Sequence, residues 1–388
     1  MKLVVLDDHV TPYRIPLFAR LSQHVASLTV LYCARRLQER RWEVPADLPY
    51  DHQFLPAIPI RLRRPPYDDP RTILVNPTLF THLIRLKPDV VVGYSFSVPA
   101  ITAFLYARTR SIGYVSWSTD TLHTERYLGI AQKFVRRLII PRAEACIAPG
   151  PGAREKFLAY GAQPEAVHTA VQSADNAWFR QAAHLARINN LSYEGLPELG
   201  GEYILYVGFV SDRKGISQLL DAFSIVANKR PSSHLVIAGD GPRRPEMERR
   251  ARTGALAGKV HFVGHVKQAD LPVLYAGARM FVFPSLEDTF GVVLSEAAAC
   301  GLPLISSMFA GASQVYVQDD ENGWVVDPRA PEPFARRMLA LLDDDELQER
   351  MGRRSQELAQ SHTIETGARD FLGAVAQASR QKSPARHE

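Results

Sequence analysis

Residues 280–306 read MFVFPSLEDTFGVVLSEAAACGLPLIS, and this stretch decides the fold. The short apolar run Met280–Phe283 predicts a buried strand, which a polar loop follows. From Phe290 to about Gly301 the pattern predicts a helix, and the apolar run Pro303–Ser306 predicts the next strand. Strand, loop, helix and strand in this order are typical of a parallel sheet covered by helices.

The same alternation of short apolar runs and longer amphipathic stretches continues in both directions along the chain. It predicts an α/β protein with two doubly wound parallel-sheet domains in series, whose strands are buried on both faces. The other predicted strands are Leu3–Leu6, Leu28–Tyr32, Asp89–Gly93, Ile112–Trp117, Ala145–Ala148, Tyr203–Val207, Leu235–Ala238 and Val260–Val263.

Turn and breaker residues predict the junction between the domains. They cluster at residues 183–201, which contain Asn-Asn, Gly-Leu-Pro and Gly-Gly. We therefore predict a first domain over residues 1–182 and a second over residues 200–362. Residues 363–388 are expected to form a helix that packs back on the first domain, followed by a loose tail.

Composition places the chain among folded globular proteins. Of its 388 residues, 46% are apolar and 22% are charged, which excludes disordered and collagen-like classes. No apolar run is long enough to span a membrane, and MKLVVLDD at residues 1–8 reaches two aspartates too early for a signal peptide. We therefore expect a cytoplasmic protein. Because Cys33, Cys146 and Cys300 are far apart and no His cluster accompanies them, neither a disulfide nor a metal site is expected.

Charge is uneven along the chain. Residues 1–180 carry 23 Lys and Arg against 15 Asp and Glu, whereas the rest carries 23 against 26. A basic half is compatible with an anionic membrane, an acidic ligand or an ordinary solvated surface. The basic residues are dispersed and form no recognisable nucleic-acid-binding module, so a nucleic acid is not expected as a partner.

Loops that follow predicted strands in the second half are the places where an open parallel sheet would bind a ligand. In VGFVSDRKG, residues 207–215, Arg213 and Lys214 stand just before a predicted helix. Two cations beside a helix N-terminus suit a diphosphate, and a solvated loop is the alternative.

Two other loops carry weaker signals. In IAGDGP, residues 237–242, two glycines would let the backbone approach a ligand, or would form an ordinary tight turn. In SSMFAGAS, residues 306–313, small residues around Gly311 would likewise admit a ligand.

The loop at residues 284–303 carries the most specific pattern. Glu287 and Asp288 offer carboxylates to sugar hydroxyls, and the N–H groups near Gly291 suit phosphate or sugar oxygens. Glu296, one to two turns inside the predicted helix, can accept hydrogen bonds from both hydroxyls of a ribose. A sugar, a phosphate and a ribose are the parts of a nucleotide sugar. The alternative is that the two loop carboxylates cap the helix.

Five motifs in this order, VGFVSDRKG, AGDGP, FVGHV, PSLEDTFGVVLSEAAACGLP and NGWVVDP, make the second half resemble the donor-binding domain of family 4 glycosyltransferases. The resemblance is strong over residues 201–330 and weaker before them. It implies the GT-B architecture, in which two Rossmann-like domains flank an interdomain cleft. It also implies transfer of a hexosyl group from a nucleotide diphosphate sugar, with a UDP-sugar preferred, with retention and without a required metal or cofactor.

The resemblance further implies an acceptor on the first domain, either a glycan or a lipid-linked acceptor, in cell-surface polysaccharide or glycolipid biosynthesis. Lys214, with Arg213, would neutralise the departing diphosphate, because a fixed cation stabilises the charge that develops there. Asp288, in preference to Glu287, would bind the transferred sugar, and Glu296 would bind the ribose. The implied donor-binding residues are Gly208, Gly239, Asp240, Gly241, Glu287, Thr289, Phe290, Gly291 and Val292.

Some positions depart from the family pattern. Phe209 stands where members commonly carry Arg, and Arg213 is expected to substitute for it. Ser118 stands where many members carry His near the reacting sugar. Asp120 and His123 are then candidates for polar contact with the acceptor or donor, or an ordinary cap and a surface residue.

Three segments of the first half bear on the acceptor or on a membrane. Tyr13 and Arg14 replace a glycine-rich loop of the family, and either face an acceptor phosphate or sugar, or pack internally. Residues 127–141 predict an amphipathic helix that contacts an anionic membrane or packs with a basic outer face. Its cations are Lys133, Arg136 and Arg137. Loops within 34–77 are expected to set acceptor specificity.

A second hypothesis is a catalytically degenerate GT-B protein that binds a nucleotide sugar without transferring it, as the departures at Phe209 and Ser118 would allow. A dinucleotide-dependent oxidoreductase is not expected. The sequence has no GxGxxG unit between a predicted strand and helix with an acidic residue at the usual distance after it.

Overall fold

The computed structural model describes residues 1–35, 44–63, 67, 70–196 and 203–382. Parts of three predicted features lie outside these residues, namely the loops within 34–77, the junction at 183–201 and the end of the tail. The chain divides into two compact units. Unit 1 comprises Met1–Gln172 and Ile364–Glu388, and unit 2 comprises Ser173–Thr363.

Strands and helices alternate along most of the chain. The strands of unit 1 are β1 (Lys2–Asp7), β2 (Ser27–Tyr32), β3 (Asp51–Phe54), β4 (Ile58–Arg63), β5 (Pro70–Val75), β6 (Val90–Tyr94), β7 (Gly113–Trp117), β8 (Ala145–Ala148) and β9 (Val167–Thr169). Those of unit 2 are β10 (Tyr203–Val207), β11 (His234–Ala238), β12 (Val260–Gly264), β13 (Ala278–Phe283), β14 (Leu304–Ser307) and β15 (Gly323–Val326). The helices are α1 (Ile15–Ser22), α2 (Leu79–Leu86), α3 (Val98–Arg110), α4 (Ile130–Ile139), α5 (Pro151–Ala159), α6 (Asn176–Ile188), α7 (Ile216–Lys229), α8 (Arg244–Ala251), α9 (Leu271–Gly277), α10 (Val293–Ala299), α11 (Ser313–Tyr316), α12 (Pro331–Asp343), α13 (Asp345–Ser361) and α14 (Ile364–Lys382).

Unit 1 is built on a parallel sheet of strand order β3-β2-β1-β6-β7-β8-β9. Successive residues of β1 point to opposite faces, so that Leu3 and Val5 lie in one core and Val4 and Leu6 lie in the other. The last helix of the chain, α14, covers the first of these faces with Phe371 and its neighbours. The sheet is therefore buried on both sides, as the apolar runs predict.

Several short strands of unit 1 were not predicted. Strand β3 reads DHQF, which offers no apolar run, and β9 has only three residues. Strands β4 and β5 pair with each other as a separate antiparallel sheet. Ile58, Ile60 and Leu62 of β4 remain 57%, 46% and 47% exposed. The apolar run of β4 therefore does not mark a core strand.

Unit 2 is built on a second sheet, of strand order β12-β11-β10-β13-β14-β15, in which all neighbouring strands are parallel. Every residue of Tyr203–Val207 is buried, as expected for a central parallel strand. The predicted bounds of this strand and of Ala145–Ala148 are those of the structure, and the other predicted strands differ by one or two residues at their ends.

The junction between the units lies at residues 172–173, not at the predicted residues 183–201, because α6 belongs to unit 2. Phe179 of α6 packs edge-on against Tyr275 of α9, with ring centroids 6.0 Å apart. The buried side chain of Asn176 donates hydrogen bonds to two backbone carbonyls at the end of α13. The periodicity of α6 shows that it has an apolar face, but not which domain covers that face.

Asn176 ties α6 to two other helices, which leads to a stability prediction. Its amide nitrogen donates to the carbonyls of Ala359 and His362 at 2.9 and 2.8 Å, and its amide oxygen accepts from the Ser295 hydroxyl at 2.6 Å. Asn176→Ala leaves these buried groups unsatisfied, so we expect the free energy of unfolding to fall by about 3 kcal/mol.

Denaturant titration followed by circular dichroism measures this loss. Asn189→Ala is the matched control, because the Asn189 amide is exposed and donates only to the Leu185 carbonyl of its own helix. The control is expected to change the free energy of unfolding by no more than about 0.5 kcal/mol. Equal midpoints for the two variants would contradict the structural role of Asn176.

Candidate functional site

Two loops meet at the topological switch point of unit 2. The strand order reverses between β10 and β13, and open parallel sheets bind ligands just outside such a point. The loop after β10 carries Arg213 and Lys214, and the loop after β13 carries Glu287 and Asp288. The Lys214 ammonium and the Asp288 carboxylate form an ion pair whose side chains are each 12% exposed. The structure thus brings together candidates from two separate motifs.

Backbone contacts fix the turn at Arg213 against the second loop. The Arg213 carbonyl accepts hydrogen bonds from the N–H groups of Leu286 and Glu287 at 2.9 and 3.2 Å, and its guanidinium Nη1 donates to the Glu287 carbonyl at 2.9 Å. Gly215, which ends the turn, has φ +70°, and a Cβ there would collide with the Pro284 carbonyl. Only glycine suits this position, so the placement of the cations depends on it.

The Asp288 carboxylate is oriented and kept charged. One oxygen accepts from the Phe290 N–H at 3.2 Å, and the other pairs with Lys214. Burial raises the pKa of Asp288, but Lys214 and Arg213 outweigh this effect and hold the pKa below its ordinary value. At neutral pH the group is therefore an anionic hydrogen-bond acceptor. Glu287 is also buried, with only 1% of its surface exposed.

The loop around Gly311 packs against the same segment. Its N–H groups at Gly311 and Ala312 donate to the carbonyls of Asp288 and Phe290 at 3.3 and 2.8 Å. A Cβ at Gly311 would collide with the Thr289 carbonyl. The sequence predicts that the small residues around Gly311 admit a ligand. In the structure it is the neighbouring backbone that approaches Gly311 closely.

The glycines of the IAGDGP loop serve a similar contact. A Cβ at Gly239 would collide with the Gly208 carbonyl, and one at Gly241 would collide with the Val210 carbonyl. The Val210 N–H also donates to the Asp240 carbonyl at 3.0 Å. The loops after β10 and β11 are therefore joined through their backbones, and donor contact by this loop stays a prediction.

Glu296 is buried at the start of α10. Because α10 begins at Val293, rather than at Phe290-Gly291, Glu296 lies in the first turn of the helix and not one to two turns inside. Its Oε2 accepts from the Tyr275 hydroxyl at 2.9 Å. Burial raises the pKa of Glu296 to about 7, and the hydrogen bond from Tyr275 opposes this rise. Tyr275 belongs to no motif, so the sequence gave no signal for it.

Arg14 and Tyr13, the two candidates in the N-terminal loop, have different surroundings in unit 1. Arg14 is buried, and its Nη1 donates to Oδ1 of Asp7 at 2.5 Å, whereas Tyr13 is partly exposed. Asp7, the last residue of β1, was not predicted as a site residue. It follows directly on an apolar strand, and this position is the signal that would have revealed it.

Asp120 and His123 lie in the connection between β7 and α4. The Ser118 hydroxyl donates to the Asp120 carboxylate at 3.0 Å and accepts from the Asp120 N–H at 3.2 Å, so these residues form a local turn. The His123 carbonyl accepts from the Arg126 guanidinium at 2.5 Å. Contact of either candidate side chain with a substrate stays a prediction.

The outer face of α4 carries apolar as well as basic side chains, since Arg137 is exposed. Arg136 is buried, and its Nε donates to Oε1 of Glu125 at 2.5 Å. Phe134 and Ile130 are instead 63% and 89% exposed. The helix therefore has some of its apolar side chains on the solvent side, whereas Ile139 and one of its cations are inside.

Cysteines and acidic clusters give no further site. Cys33, Cys146 and Cys300 are buried and free. Within the described ranges, no group of three or more His, Cys, Asp or Glu side chains is arranged to hold a metal ion. The groups that remain for ligand chemistry in unit 2 are those at the switch point and Glu296.

Comparison with known proteins shows that the chain is similar to glycosyltransferases. Residues 192–358 match the family described as glycosyl transferases group 1. The match covers less than half of the chain. A sulfoquinovosyl transferase of Arabidopsis thaliana is 26% identical over 301 residues, which are 74% of this chain and 56% of that protein. An alpha-D-kanosaminyltransferase of Streptomyces kanamyceticus is 28% identical over 274 residues, which are 70% of this chain and 69% of that protein.

Solved structures show that the chain has the predicted GT-B fold with two Rossmann-like domains. The Anabaena protein HepE, solved in complex with UDP, matches with a TM-score of 0.76 and 17% identity, over 97% of this chain and all of that chain. A sucrose-phosphate synthase from Thermosynechococcus elongatus matches with a TM-score of 0.74 and 18% identity, over 99% of this chain and all of that one.

The raised pKa of Glu296 predicts how the stability of the protein depends on pH. The folded chain binds an additional proton between the ordinary value of 4.5 and about 7. The stability that this proton contributes is present at low pH and is lost as the pH rises through this window. Glu296→Gln keeps an acceptor for the Tyr275 hydroxyl and removes the titration. We compare the free energy of unfolding of Glu296→Gln with that of the wild type at each pH. The difference, variant minus wild type, is expected to rise by on the order of 3 kcal/mol from the lower to the upper end of the window.

Melting temperatures of both proteins, measured without ligand below and above this window, test the expectation. Glu332→Gln is the control, because the Glu332 side chain is exposed in the first turn of α12. Its melting temperature should differ from that of the wild type by the same amount at both pH values. A difference for Glu296→Gln that does not change with pH would disprove the protonation of the buried carboxyl.

Proposed function

We propose that the chain is a retaining glycosyltransferase that moves a hexosyl group from a nucleotide diphosphate sugar to a glycan or lipid-linked acceptor. The observation that carries the proposal is the Lys214–Asp288 ion pair, with Arg213 beside it, at the switch point of the family domain. A UDP-sugar is the donor that we propose, since the similar Anabaena protein was solved with UDP and with UDP-glucose.

Lys214 and Asp288 satisfy each other in the absence of a ligand. A donor offers a diphosphate to the cation and sugar hydroxyls to the carboxylate, so both charges exchange one partner for another when it binds. As the bond to the sugar breaks, negative charge grows on the diphosphate, and the fixed ammonium of Lys214 stabilises it more than it stabilises the bound donor. Arg213, which lies beside the pair, adds positive potential.

Glu296 is proposed to accept hydrogen bonds from the ribose hydroxyls. A carboxylate has acceptor sites for both of them, and those hydroxyls would replace the water that burial has removed. Retention requires no general base on the protein, so none is assigned, and we propose no metal or cofactor for the reaction.

Loss of the Lys214 ammonium is expected to weaken UDP binding by about tenfold or more, as deletion of a charge-assisted hydrogen bond does. It should also abolish sugar transfer. Calorimetric titration of the full chain with UDP measures the affinity, and release of UDP from UDP-glucose in the presence of an acceptor panel measures turnover. Glu296→Ala should likewise abolish transfer.

Two comparisons separate binding from folding. Lys214→Ala leaves Asp288 as an uncompensated buried charge, so the double variant Lys214→Ala/Asp288→Asn is included to restore stability without restoring UDP binding. Lys229→Ala, at an exposed position of α7, should bind UDP like the wild type. Full transfer activity in Lys214→Ala would refute the proposal, and UDP binding without any turnover would favour a degenerate binding protein.

We also propose that the acceptor is reached at an anionic membrane surface through α4. Tyr127, Ile130 and Phe134 are 58%, 89% and 63% exposed, and the last two lie one helical turn apart on one face. Residues 126–142 contain no acidic residue and five Lys or Arg. An exposed apolar stripe flanked by cations suits the interface of a bilayer with anionic lipids. None of the described helices is long and apolar enough to span a membrane.

Cosedimentation with lipid vesicles tests this contact. The wild type should bind vesicles that contain phosphatidylglycerol and not vesicles of phosphatidylcholine alone, and Phe134→Ser should lose most of the binding because it removes buried apolar area at the interface. Ile188→Ser is the matched control, since Ile188 is 62% exposed on α6 of unit 2. Equal binding by the two variants would contradict the proposed contact.

A further inference from the structure

Arg213 and Lys214 belong to a single 3-10 turn, Asp212–Lys214, between β10 and α7. So short a turn has few hydrogen bonds of its own, and their geometry is poorer than in an α-helix. The place of the Lys214 ammonium therefore depends on contacts that neighbouring elements make with the turn. The loop after β13 holds one side of it, through the Arg213 carbonyl.

An ion pair holds the turn from a second direction. Nε and Nη2 of Arg243 donate to Oδ2 of Asp212 at 2.9 and 2.8 Å. Arg243 directly precedes α8, and its backbone N–H donates to the Val210 carbonyl at 3.2 Å, two residues before Asp212. The connection after β10 is thus joined to the connection after β11 by a side chain as well as by backbone.

The Arg243 guanidinium is held in a fixed plane. Its Nη1 donates to Oε2 of Glu246 at 2.7 Å, so each of its three nitrogens makes a hydrogen bond. The side chains of Asp212 and Arg243 are each 38% exposed. Exposed pairs contribute no more than about 1 kcal/mol to global stability. The effect of this pair is therefore expected at the turn, and not in the stability of the whole unit.

Charge and geometry predict different roles for the two residues. By charge alone, Asp212 would repel an anionic ligand at Lys214 and Arg243 would attract it. Because the two charges lie side by side, their potentials largely cancel at a distance. The pair therefore adds little to the positive potential of Arg213 and Lys214, and what it contributes is the placement of the turn.

We propose that Asp212 and Arg243 are positioning residues, which hold the turn so that Lys214 meets the donor diphosphate. The inference rests on the proposed transferase function and deepens it, because it names a contact that orders the donor-binding cations before the donor arrives. A turn that is already ordered loses less conformational entropy when the ligand binds. Both residues act through Lys214 and not by contact with the donor.

Calorimetric titration of the full chain with UDP tests this role by the sign of one effect. Asp212→Ala removes a negative charge near an anionic ligand, which by charge alone would strengthen binding. Because it also removes the ion pair, we expect UDP to bind about fivefold more weakly instead. Arg243→Ala should weaken binding by a similar factor. The double variant should be no weaker than either single variant, since all three lose the same contact.

Hydrogen exchange without ligand, followed by mass spectrometry, tests the anchoring itself. The N–H groups of Lys214 and Gly215 donate to the carbonyls of Ser211 and Asp212 at 3.1 and 3.0 Å. In Asp212→Ala and Arg243→Ala, a peptide that contains these two amides should exchange about fivefold faster than in the wild type, because the turn opens more often.

Another ion pair of α8 provides the matched control. Arg250 pairs with Asp221 of α7, and their side chains are 35% and 48% exposed. This pair also joins two elements, but neither of its residues lies in the turn. Asp221→Ala should therefore leave both the UDP affinity and the exchange of the turn at wild-type values.

Each outcome decides the inference separately from the proposed function. Wild-type or tighter UDP binding by Asp212→Ala overturns it, as does unchanged exchange of the turn in both variants, or an equal effect of Asp221→Ala. If instead the wild type does not bind UDP while exchange of the turn rises only in Asp212→Ala and Arg243→Ala, the transferase proposal fails and the anchoring of the turn stands.

Discussion

The reversal of strand order in each sheet is the constraint that brings together the two ion pairs Asp7–Arg14 and Lys214–Asp288. Every connection between parallel strands must cross one face of the sheet, and only at the reversal do two neighbouring connections leave on opposite faces. The reversal lies between β10 and β13 in unit 2 and between β1 and β6 in unit 1. At these two places, residues that are distant in sequence meet at the carboxyl end of the sheet without a crossover helix between them.

A carboxylate and a cation meet at both reversals, and burial makes each pair depend on its partner. Removing two charges from water costs several kcal/mol, which their attraction and hydrogen bonds only roughly repay. A ligand that supplies an anion to Lys214 and hydroxyls to Asp288 therefore exchanges one compensated arrangement for another. The net electrostatic gain is small, so selectivity comes from geometry, which the backbone bonds of Arg213 and the turn at Gly215 fix.

Not every buried charge of the chain belongs to such a site. Lys156 of α5 is fully buried, and burial lowers its pKa to about 8 while Asp120 and Glu125 act to raise it. Its ammonium lies 3.8 Å from the centre of the Phe157 ring, and aromatic faces stabilise a cation without a hydrogen bond. Burial of a charge alone therefore does not identify a site. A position at a reversal of strand order, where loops from two strands meet, is also required.

The sequence predicted those parts of the fold that local pattern determines. The parallel strands of both sheets are continuous apolar runs, so their place and order could be read directly. Strand β3 and the antiparallel pair could not, because DHQF is polar and Ile58, Ile60 and Leu62 face solvent. The same limit applies to α6, whose apolar face is visible in the sequence although the domain that covers it is not.

For the site, the motifs predicted which residues carry the chemistry, but not how they contact one another. Lys214 and Asp288 were assigned to different parts of a donor, and their ion pair is a tertiary contact between positions 74 residues apart. Tyr275 was missed for the same reason, since it matters only through the residue it contacts, whereas the position of Asp7 at the end of an apolar strand is visible in the sequence. The glycines were identified as sites of close approach. Whether a ligand or the backbone makes that approach depends on tertiary packing. In the described loops the neighbouring backbone makes it.

The core of unit 1 joins the two ends of the chain. Phe371, Ala374 and Val375 of α14 pack in the same core as Leu3 and Val5 of β1, whereas unit 2 is formed by one continuous stretch of chain. Closing so long a loop costs conformational entropy before the apolar contacts are gained. The face of the unit 1 sheet that carries Trp117 is therefore completed only by the last helix. Because the Trp117 ring packs on Phe371 and also lies against the Arg14 guanidinium, the geometry of the Asp7–Arg14 pair depends on a helix at the opposite end of the sequence.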